Sequence, residues 1–191
     1  MSSRLRIYLA GPEVFLPNAR DVGQRKIRLC AAAGYEGVFP LDQELDLAGL
    51  PKREMARRIS MANEGLMRTC DLVIANMTPF RGVSMDAGTA FEMGFMRALG
   101  RPVLAYSNTP RDYRTRAEAH RRHEALADDC DHPAVEIEDF DLPDNLMMAV
   151  SVLESTSQIY VFDPADADRM TDLTAFASCL ADVPRLFPVR A

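Results

Sequence analysis

Two carboxylates stand close together in the segment 78–96, which reads TPFRGVSMDAGTAFEMGFM. A loop with Arg81 and Gly82 leads into a predicted helix, Asp86 lies at its first turn, and Glu92 follows. An ionised glutamate in a cleft can attack an electrophilic carbon and later leave it. Paired carboxylates are also the usual groups for breaking a glycosidic bond. The structural alternative makes Asp86 a helix N-cap and Glu92 an ordinary surface residue.

The helix that carries these carboxylates is predicted from Ala87 to Leu99. Phe91, Phe95 and Leu99 recur at helical spacing and are expected to pack against a sheet. Glu92 lies one position off this stripe, so it is expected at the edge of a cleft. The positive end of the helix dipole should favour the ionised form of both carboxylates.

Four other polar positions are candidates for the same cleft. Tyr8 lies towards the end of a predicted strand, where its hydroxyl could reach a carboxylate or simply fill the sheet edge. Asn63 lies within a long predicted helix, and PLDQE at 40–44 follows a strand and could line a pocket or form a plain turn. Asn145, in LPDNLM, is placed to cap a helix or to serve a site.

The elements that must position these residues alternate between strand and helix along most of the chain. Such alternation predicts a flavodoxin/Rossmann-like α/β fold, a three-layer sandwich whose central, mostly parallel sheet is flanked by helices. Ligands bind outside the carboxyl ends of the strands in such sheets. Strands are predicted at 6–12, 37–40, 72–76, 102–106 and in the IYVF run at 159–162, and helices at 18–33, 51–68, 87–99 and 166–180.

The chain is expected to form a single domain over residues 1–191, with a charged excursion near 107–134. That excursion is expected to be either mobile or a solvated helix. It contains His120, His123, Cys130 and His132, whose spacing is looser than that of zinc sites. We therefore predict no metal site.

Composition and charge limit the kinds of partner that the protein is expected to bind. The chain has 191 residues and a net charge of −6, the wrong sign for holding long nucleic acid. Four scattered cysteines predict a reducing compartment, and hence a cytoplasmic location. The first residues do not read as a signal peptide, and we expect no contact with a membrane, because no apolar run approaches the length of a membrane span.

Three motifs together carry a resemblance. IYLAGPEVF, CDLVIANMTPFRGVSMDAGTAFEMGFMRALGRPVL and LPDNLM resemble the nucleoside 2-deoxyribosyltransferase family. The resemblance implies that Glu92 is the nucleophile, that Tyr8 orients it and that Asp86 contacts the nucleoside. It implies that Asn145 enters the pocket of a neighbouring subunit, which requires a homo-oligomer (a dimer, or a hexamer built of dimers). The expected substrate-binding residues are Gly11, Asn63, Arg81, Gly82, Asp86 and Asn145.

The implied activity is transfer of 2-deoxyribose from a 2'-deoxynucleoside to a free nucleobase through a glutamyl-sugar intermediate, without a cofactor. One alternative is an N-glycosidase that hydrolyses 2'-deoxynucleosides or their 5'-monophosphates, and another is a non-catalytic nucleotide-sensing module. Two positions bear on the substrate, the first on the preferred nucleobase and the second on the 5' substituent. Asn63 stands where some family members have an aspartate that handles the base, and an amide is no proton donor of that kind. Asp86 stands where the related monophosphate hydrolases have serine, which favours a substrate with a free 5'-hydroxyl.

Overall fold

The computed structural model describes residues 4–126 and 136–187. Five strands form one sheet in the order β2-β1-β3-β4-β5, and every neighbouring pair is parallel. This is the strand order of flavodoxin-like sheets. The predicted α/β fold is therefore confirmed. The strands are β1 (Arg6–Ala10), β2 (Glu36–Val38), β3 (Leu72–Asn76), β4 (Val103–Ser107) and β5 (Tyr160–Val161).

Helices cover both faces of the sheet, and the strands alternate their side chains between them. Ile7 and Leu9 of β1 point into one core, whereas Tyr8 and Ala10 point into the other. The first core is closed by α1 and α6, and the second by α2, α3 and α5. The helices are α1 (Ala19–Ala32), α2 (Lys52–Arg68), α3 (Ala87–Ala98), α4 (Tyr113–Leu126), α5 (Leu146–Thr156) and α6 (Thr174–Leu186).

Burial explains why the central strands were recognisable. Every residue of β3 and of β4 is buried, as expected for strands covered on both faces. The predicted bounds of β3 are confirmed, and β4 is shifted by one residue. The IYVF run is shorter than predicted, because only Tyr160 and Val161 pair with β4.

The predicted last helix at 166–180 is wrong at both ends. Residues Asp166–Asp168 form a short 3-10 turn, and the helix begins only at Thr174 and continues to Leu186. The apolar residues that fix it, such as Phe176 and Val183, lie against the sheet on the α1 side. Asp166 and Asp168 are exposed, so the 3-10 turn contributes no side chain to the core.

The expected packing face of α3 is also wrong. Phe91 is 58% exposed and Leu99 is 37% exposed, and only Phe95 packs against the core, partly buried. The buried side chains are Thr89, Met93 and Met96, which lie on a different face of the helix. Phe91 therefore points away from the sheet.

Part of the charged excursion is a helix. The segment Tyr113–Leu126 forms α4, which is the solvated-helix alternative of the sequence interpretation. Cys130 and His132 lie outside the described residues. Within residues 4–126 and 136–187, no helix is long and apolar enough to cross a membrane.

Candidate active site

A cavity of about 480 Å³ opens at the carboxyl ends of β1 and β2, beside the start of α3. It lies next to the boundary between β1 and β3, where the strand order reverses and where ligands bind in sheets of this order. Its walls come from the loops after β1 and β2, from α2, and from the first turns of α1 and α3. The lining residues are Gly11, Val14, Phe15, Arg20, Pro40, Leu41, Gln43, Leu45, Leu47, Ile59, Asn63, Asp86, Gly88, Thr89 and Glu92.

Glu92 lines this cavity, and the buried side chain of Tyr8 contacts it from behind the lining. The Tyr8 hydroxyl donates a hydrogen bond to Glu92 Oε1 at 2.6 Å. Tyr8 is fully buried, and burial and the neighbouring Glu92 carboxylate hold the pKa of its hydroxyl far above the usual value. The phenol therefore stays protonated, so it acts as a fixed donor that orients one carboxylate oxygen.

The pKa of Glu92 is raised to about 7. Burial is the largest cause, the hydrogen bond from Tyr8 opposes it, and the nearby charges of Asp86 and Glu13 raise the pKa further. Loss of water on burial therefore outweighs the effects that favour the ionised form of Glu92. Glu92 sits past the first turn of α3, where the dipole is weak and loss of water dominates.

Asp86 is both an N-cap and part of the cavity wall. Its Oδ2 accepts hydrogen bonds from the Thr89 backbone N–H at 2.9 Å and from the Thr89 hydroxyl at 3.1 Å. These bonds fix the start of α3 and thereby the direction in which Glu92 projects. The capping role and a role in the cavity are therefore compatible.

Gly11 lines the cavity at a place where a side chain has no room. A Cβ at Gly11 would lie 1.9 Å from Glu13 Oε2 and 3.0 Å from Asn76 Cβ. Any larger residue would collide with the buried Glu13 carboxylate or push it aside. Gly11 thus lets backbone form the wall at the end of β1.

Glu13 belongs to a buried polar cluster that sequence reasoning missed. Its Oε1 is ion-paired with Lys26 and accepts from Asn76 Nδ2 and from the Tyr106 hydroxyl, both at 2.9 Å. Both Glu13 and Lys26 are fully buried. One signal existed, since Lys26 falls on the buried face of α1 with Val22 and Cys30.

The amides of Asn63 and Gln43 face each other across the cavity wall. Gln43 Nε2 lies 3.4 Å from Asn63 Oδ1, a long contact that leaves both groups free to turn towards a ligand. Gln43 was one residue of the PLDQE segment, for which a pocket or a plain turn was left open. The structure puts Gln43 in the lining.

Arg81 and Gly82 are not among the lining residues. The Arg81 guanidinium stacks on the rings of Phe15 and Phe80, at 4.7 and 4.6 Å from their centroids. Phe15 is itself part of the cavity wall, so Arg81 touches the site through that ring. Arg81 has a positive φ of 56°, a backbone conformation uncommon for a side chain of this kind.

Asn145 is likewise absent from the lining of its own chain's cavity. Its side chain caps α5 by accepting from the Met147 backbone N–H at 3.0 Å, and its Nδ2 donates to Glu138 at 2.5 Å. The default capping role is therefore present.

No cluster of three or more histidine, cysteine or acidic side chains suited to a metal ion occurs within the described ranges 4–126 and 136–187. The cavity's titratable lining residues are Arg20, Asp86 and Glu92. The site is therefore equipped for chemistry carried by a carboxylate.

The fold and this cavity define an α/β protein with a tyrosine-held glutamate at the carboxyl edge of its sheet. The chain belongs to the nucleoside 2-deoxyribosyltransferase family, whose family model matches residues 7–147. The resemblance found in the motifs is thus confirmed.

The chain is also similar to two solved structures and to one curated protein. A 2-desoxiribosyltransferase from Leishmania mexicana is 28% identical, with a TM-score of 0.61 over 93% of this chain and 97% of that one. A 2-deoxyribosyltransferase from Bacillus psychrosaccharolyticus shares the fold at 19% identity and a TM-score of 0.50, over 91% and 95% of the two chains. An uncharacterized protein from Schizosaccharomyces pombe is 35% identical over 61% of this chain, and the match spans 56% of that relative's length.

Proposed function

We propose that this protein transfers 2-deoxyribose between nucleobases, with Glu92 as the nucleophile. The hydrogen bond from Tyr8 to Glu92, which lines the cavity, is the observation that carries the proposal. A carboxylate with a pKa of about 7 is more basic than an ordinary glutamate, and it is already stripped of much of its water. Both properties favour attack on an electrophilic carbon.

The proposed reaction proceeds in two displacements. In the first, a Glu92 carboxylate oxygen bonds to C1' of a 2'-deoxynucleoside while the C1'–N bond breaks, and its electron pair leaves with the base. In the second, a nitrogen of another base attacks C1', the ester bond to Glu92 breaks, and the incoming nitrogen loses its proton. Two inversions at C1' restore the original configuration.

The remaining lining residues support the substrate class. Asp86 uses Oδ2 to cap α3, which leaves Oδ1 to accept a hydrogen bond from a sugar hydroxyl. A 5'-phosphate beside this carboxylate would meet repulsion. The proposed donor is therefore a nucleoside with a free 5'-hydroxyl, and the apolar walls at Phe15, Leu45 and Ile59 suit a flat base.

Incubation with deoxyinosine, with and without free adenine, tests the proposal directly. Transfer forms deoxyadenosine only when adenine is present, and hypoxanthine appears in equal amount. Release of free deoxyribose at the same rate with and without adenine would contradict transfer and favour the N-glycosidase. Tight nucleoside binding by the wild type with no turnover of either kind would favour the sensing module.

A gain of function is expected from Asn63→Asp. In the wild type, the amides of Asn63 and Gln43 can donate hydrogen bonds to the departing base but cannot protonate it. A carboxylic acid in place of Asn63 can donate a proton to the departing nucleobase. It should therefore raise kcat about 10-fold or more for nucleobases that must be protonated as they leave. Rates with a panel of purine and pyrimidine deoxynucleosides measure this. Asn63→Gln serves as the matched control, and equal rates for both variants would contradict a role for this position in base departure.

We further propose that two copies of the chain pair through α3 and α5. A groove of about 660 Å³ runs between these helices. Phe91, Met147 and Val150 stand exposed on them, with Met147 72% exposed. Covering such side chains would bury apolar surface next to Asn145, which starts α5. The size of the oligomer, a dimer or a hexamer of dimers, is measured by light scattering.

Complementation between two inactive variants tests whether Asn145 serves a neighbouring site. Glu92→Gln lacks the nucleophile and Asn145→Ala lacks the amide, so each alone should be nearly inactive. In a co-expressed mixed dimer, one site combines the intact Glu92 of one subunit with the intact Asn145 of the other. Random pairing would restore about a quarter of wild-type activity. Activity no higher than the mean of the two parents would place Asn145 in its own subunit's site or in none.

A further inference from the structure

The loop that joins β3 to α3 is held from outside by two other segments. Residues Val83, Ser84 and Met85 of this loop directly precede Asp86, the N-cap of α3. All three bond to polar side chains far away in the sequence. These side chains are Arg116 of α4 and Asp144, which precedes α5.

Arg116 joins the loop to the segment before α5. Its Nε donates to the Val83 carbonyl at 2.7 Å, and its Nη2 donates to the Pro143 carbonyl at 2.6 Å. The same Nη2 lies 3.5 Å from Asp144 Oδ2, and the Arg116 side chain is only 9% exposed. A guanidinium suits this place because its planar fork can reach several acceptors at once.

Asp144 holds the next two residues of the loop. Its Oδ1 accepts from the Ser84 hydroxyl, and its Oδ2 accepts from the Met85 backbone N–H at 2.9 Å. The Asp144 side chain is fully buried. A buried ion pair whose members also make these hydrogen bonds fixes geometry more than it adds stability.

We propose that this Arg116–Asp144 clamp is a positioning device that holds Asp86 in place for the bound nucleoside. The inference rests on the proposed function, because it assigns Asp86 to the substrate. The proposal also assigns a role to α4, which the sequence indicates only as part of a charged excursion. Without Arg116 and Asp144, residues 83–85 would still connect β3 to α3 but would lose three hydrogen bonds that fix the conformation of the loop.

The Arg116→Met variant tests the clamp, with Arg114→Met as the matched control. Arg114 lies on the same helix, is half exposed and pairs with Glu118 and Asp139. Asp86 is proposed to contact the substrate before and during the reaction, so loosening the loop in front of it should weaken both states alike. The Thr89 bonds that start α3 and direct Glu92 do not involve Arg116 and stay in place. We expect Arg116→Met to raise KM about 10-fold with kcat nearly unchanged, which is the size of one or two lost hydrogen bonds. Arg114→Met should change neither.

Hydrogen–deuterium exchange supplies a readout that does not depend on activity. In Arg116→Met, amides at residues 80–86 should exchange about 10-fold faster, while those of β3 and β4 keep wild-type protection. If the amides at 80–86 of Arg116→Met exchange at the wild-type rate, or if its KM is unchanged, the proposal is wrong. If the wild type shows no nucleoside chemistry at all, the proposed function fails, and the exchange result still decides whether Arg116 fixes the loop.

Ser84→Ala keeps the proposal testable if Arg116→Met does not fold. It removes only the Ser84 hydroxyl bond to Asp144 and leaves the ion pair intact. KM should rise about threefold, in line with one hydrogen bond, and exchange at 80–86 should quicken without a change elsewhere. Identity with the wild type in both measurements would contradict the clamp.

Discussion

Replacing Glu92 with glutamine is expected to reduce transfer at least about 1000-fold and to leave the fold intact. Glutamine has nearly the same shape and still offers an oxygen to the Tyr8 hydroxyl, so the contact at 2.6 Å can persist. It lacks the anionic oxygen that must bond to C1'. The measurement is the initial rate of deoxyadenosine formation from deoxyinosine and adenine.

Mass spectrometry extends this test to the intermediate. A slow 2'-fluoro deoxynucleoside should leave a sugar adduct on wild-type Glu92 and none on the Glu92→Gln variant. Glu64→Gln is the matched control, because Glu64 lies on α2 and does not line the cavity. Near-normal turnover by Glu92→Gln, or an adduct on another residue, would remove Glu92 from the nucleophile role.

The same substitution should stabilise the protein at neutral and alkaline pH. The pKa of Glu92 is about 7 in the fold, against an ordinary glutamate value of about 4.5. Between these values the native state binds more protons than the unfolded state, so the free energy of unfolding falls as pH rises. Glu92→Gln escapes this loss, so its advantage should grow from pH 4.5 to 7 and then level off, at about 3 kcal/mol at most. Urea unfolding at pH 5 and pH 8.5 measures the difference.

Local patterns in the sequence were sufficient for the sheet and insufficient for the helix faces. Continuous apolar runs such as Leu72–Asn76 occur where a strand is covered on both sides, and the structure places one there. Helix α3 carries apolar residues on more than one side, so periodicity offered two possible faces. In the structure, Met93 and Met96 are buried on the side of α3 that faces the sheet and α5, and Phe91 is exposed.

The candidate site, like the fold, was predictable from the sequence only in part. Tyr8 and Glu92 are 84 positions apart, so the residues alone offered their contact as one of two alternatives, and the family resemblance favoured it. Their contact depends on topology: β1 turns Tyr8 towards the face that α3 covers. Arg116 belongs to no motif, and helical spacing indicates only that Lys26 is buried. The partners of these two residues, Asp144 and Glu13, follow from tertiary contacts that local spacing does not reveal.

The Tyr8→Phe variant is expected to shift the pH dependence of the reaction as well as its rate. The free-enzyme pKa of the nucleophile sets the acid limb of kcat/KM, so the wild type should gain activity as pH rises through about 7. The Tyr8 hydrogen bond stabilises the ionised form of Glu92 and lowers its pKa. Its loss should move the acid limb upwards by about one pH unit.

Two separate losses follow for this variant at pH 7, because fewer molecules carry ionised Glu92 and the carboxylate is no longer oriented. We expect kcat/KM to fall about 10- to 100-fold at pH 7 and to recover partly by pH 8.5. Tyr35→Phe, which removes a hydroxyl remote from the cavity lining, controls for the substitution itself. An acid limb that stays near pH 7 in Tyr8→Phe would show that the hydroxyl does not tune Glu92, because removing a donor to a carboxylate must raise its pKa. Partial recovery at high pH separates this tuning from simple damage to the fold, which alkaline buffer would not repair.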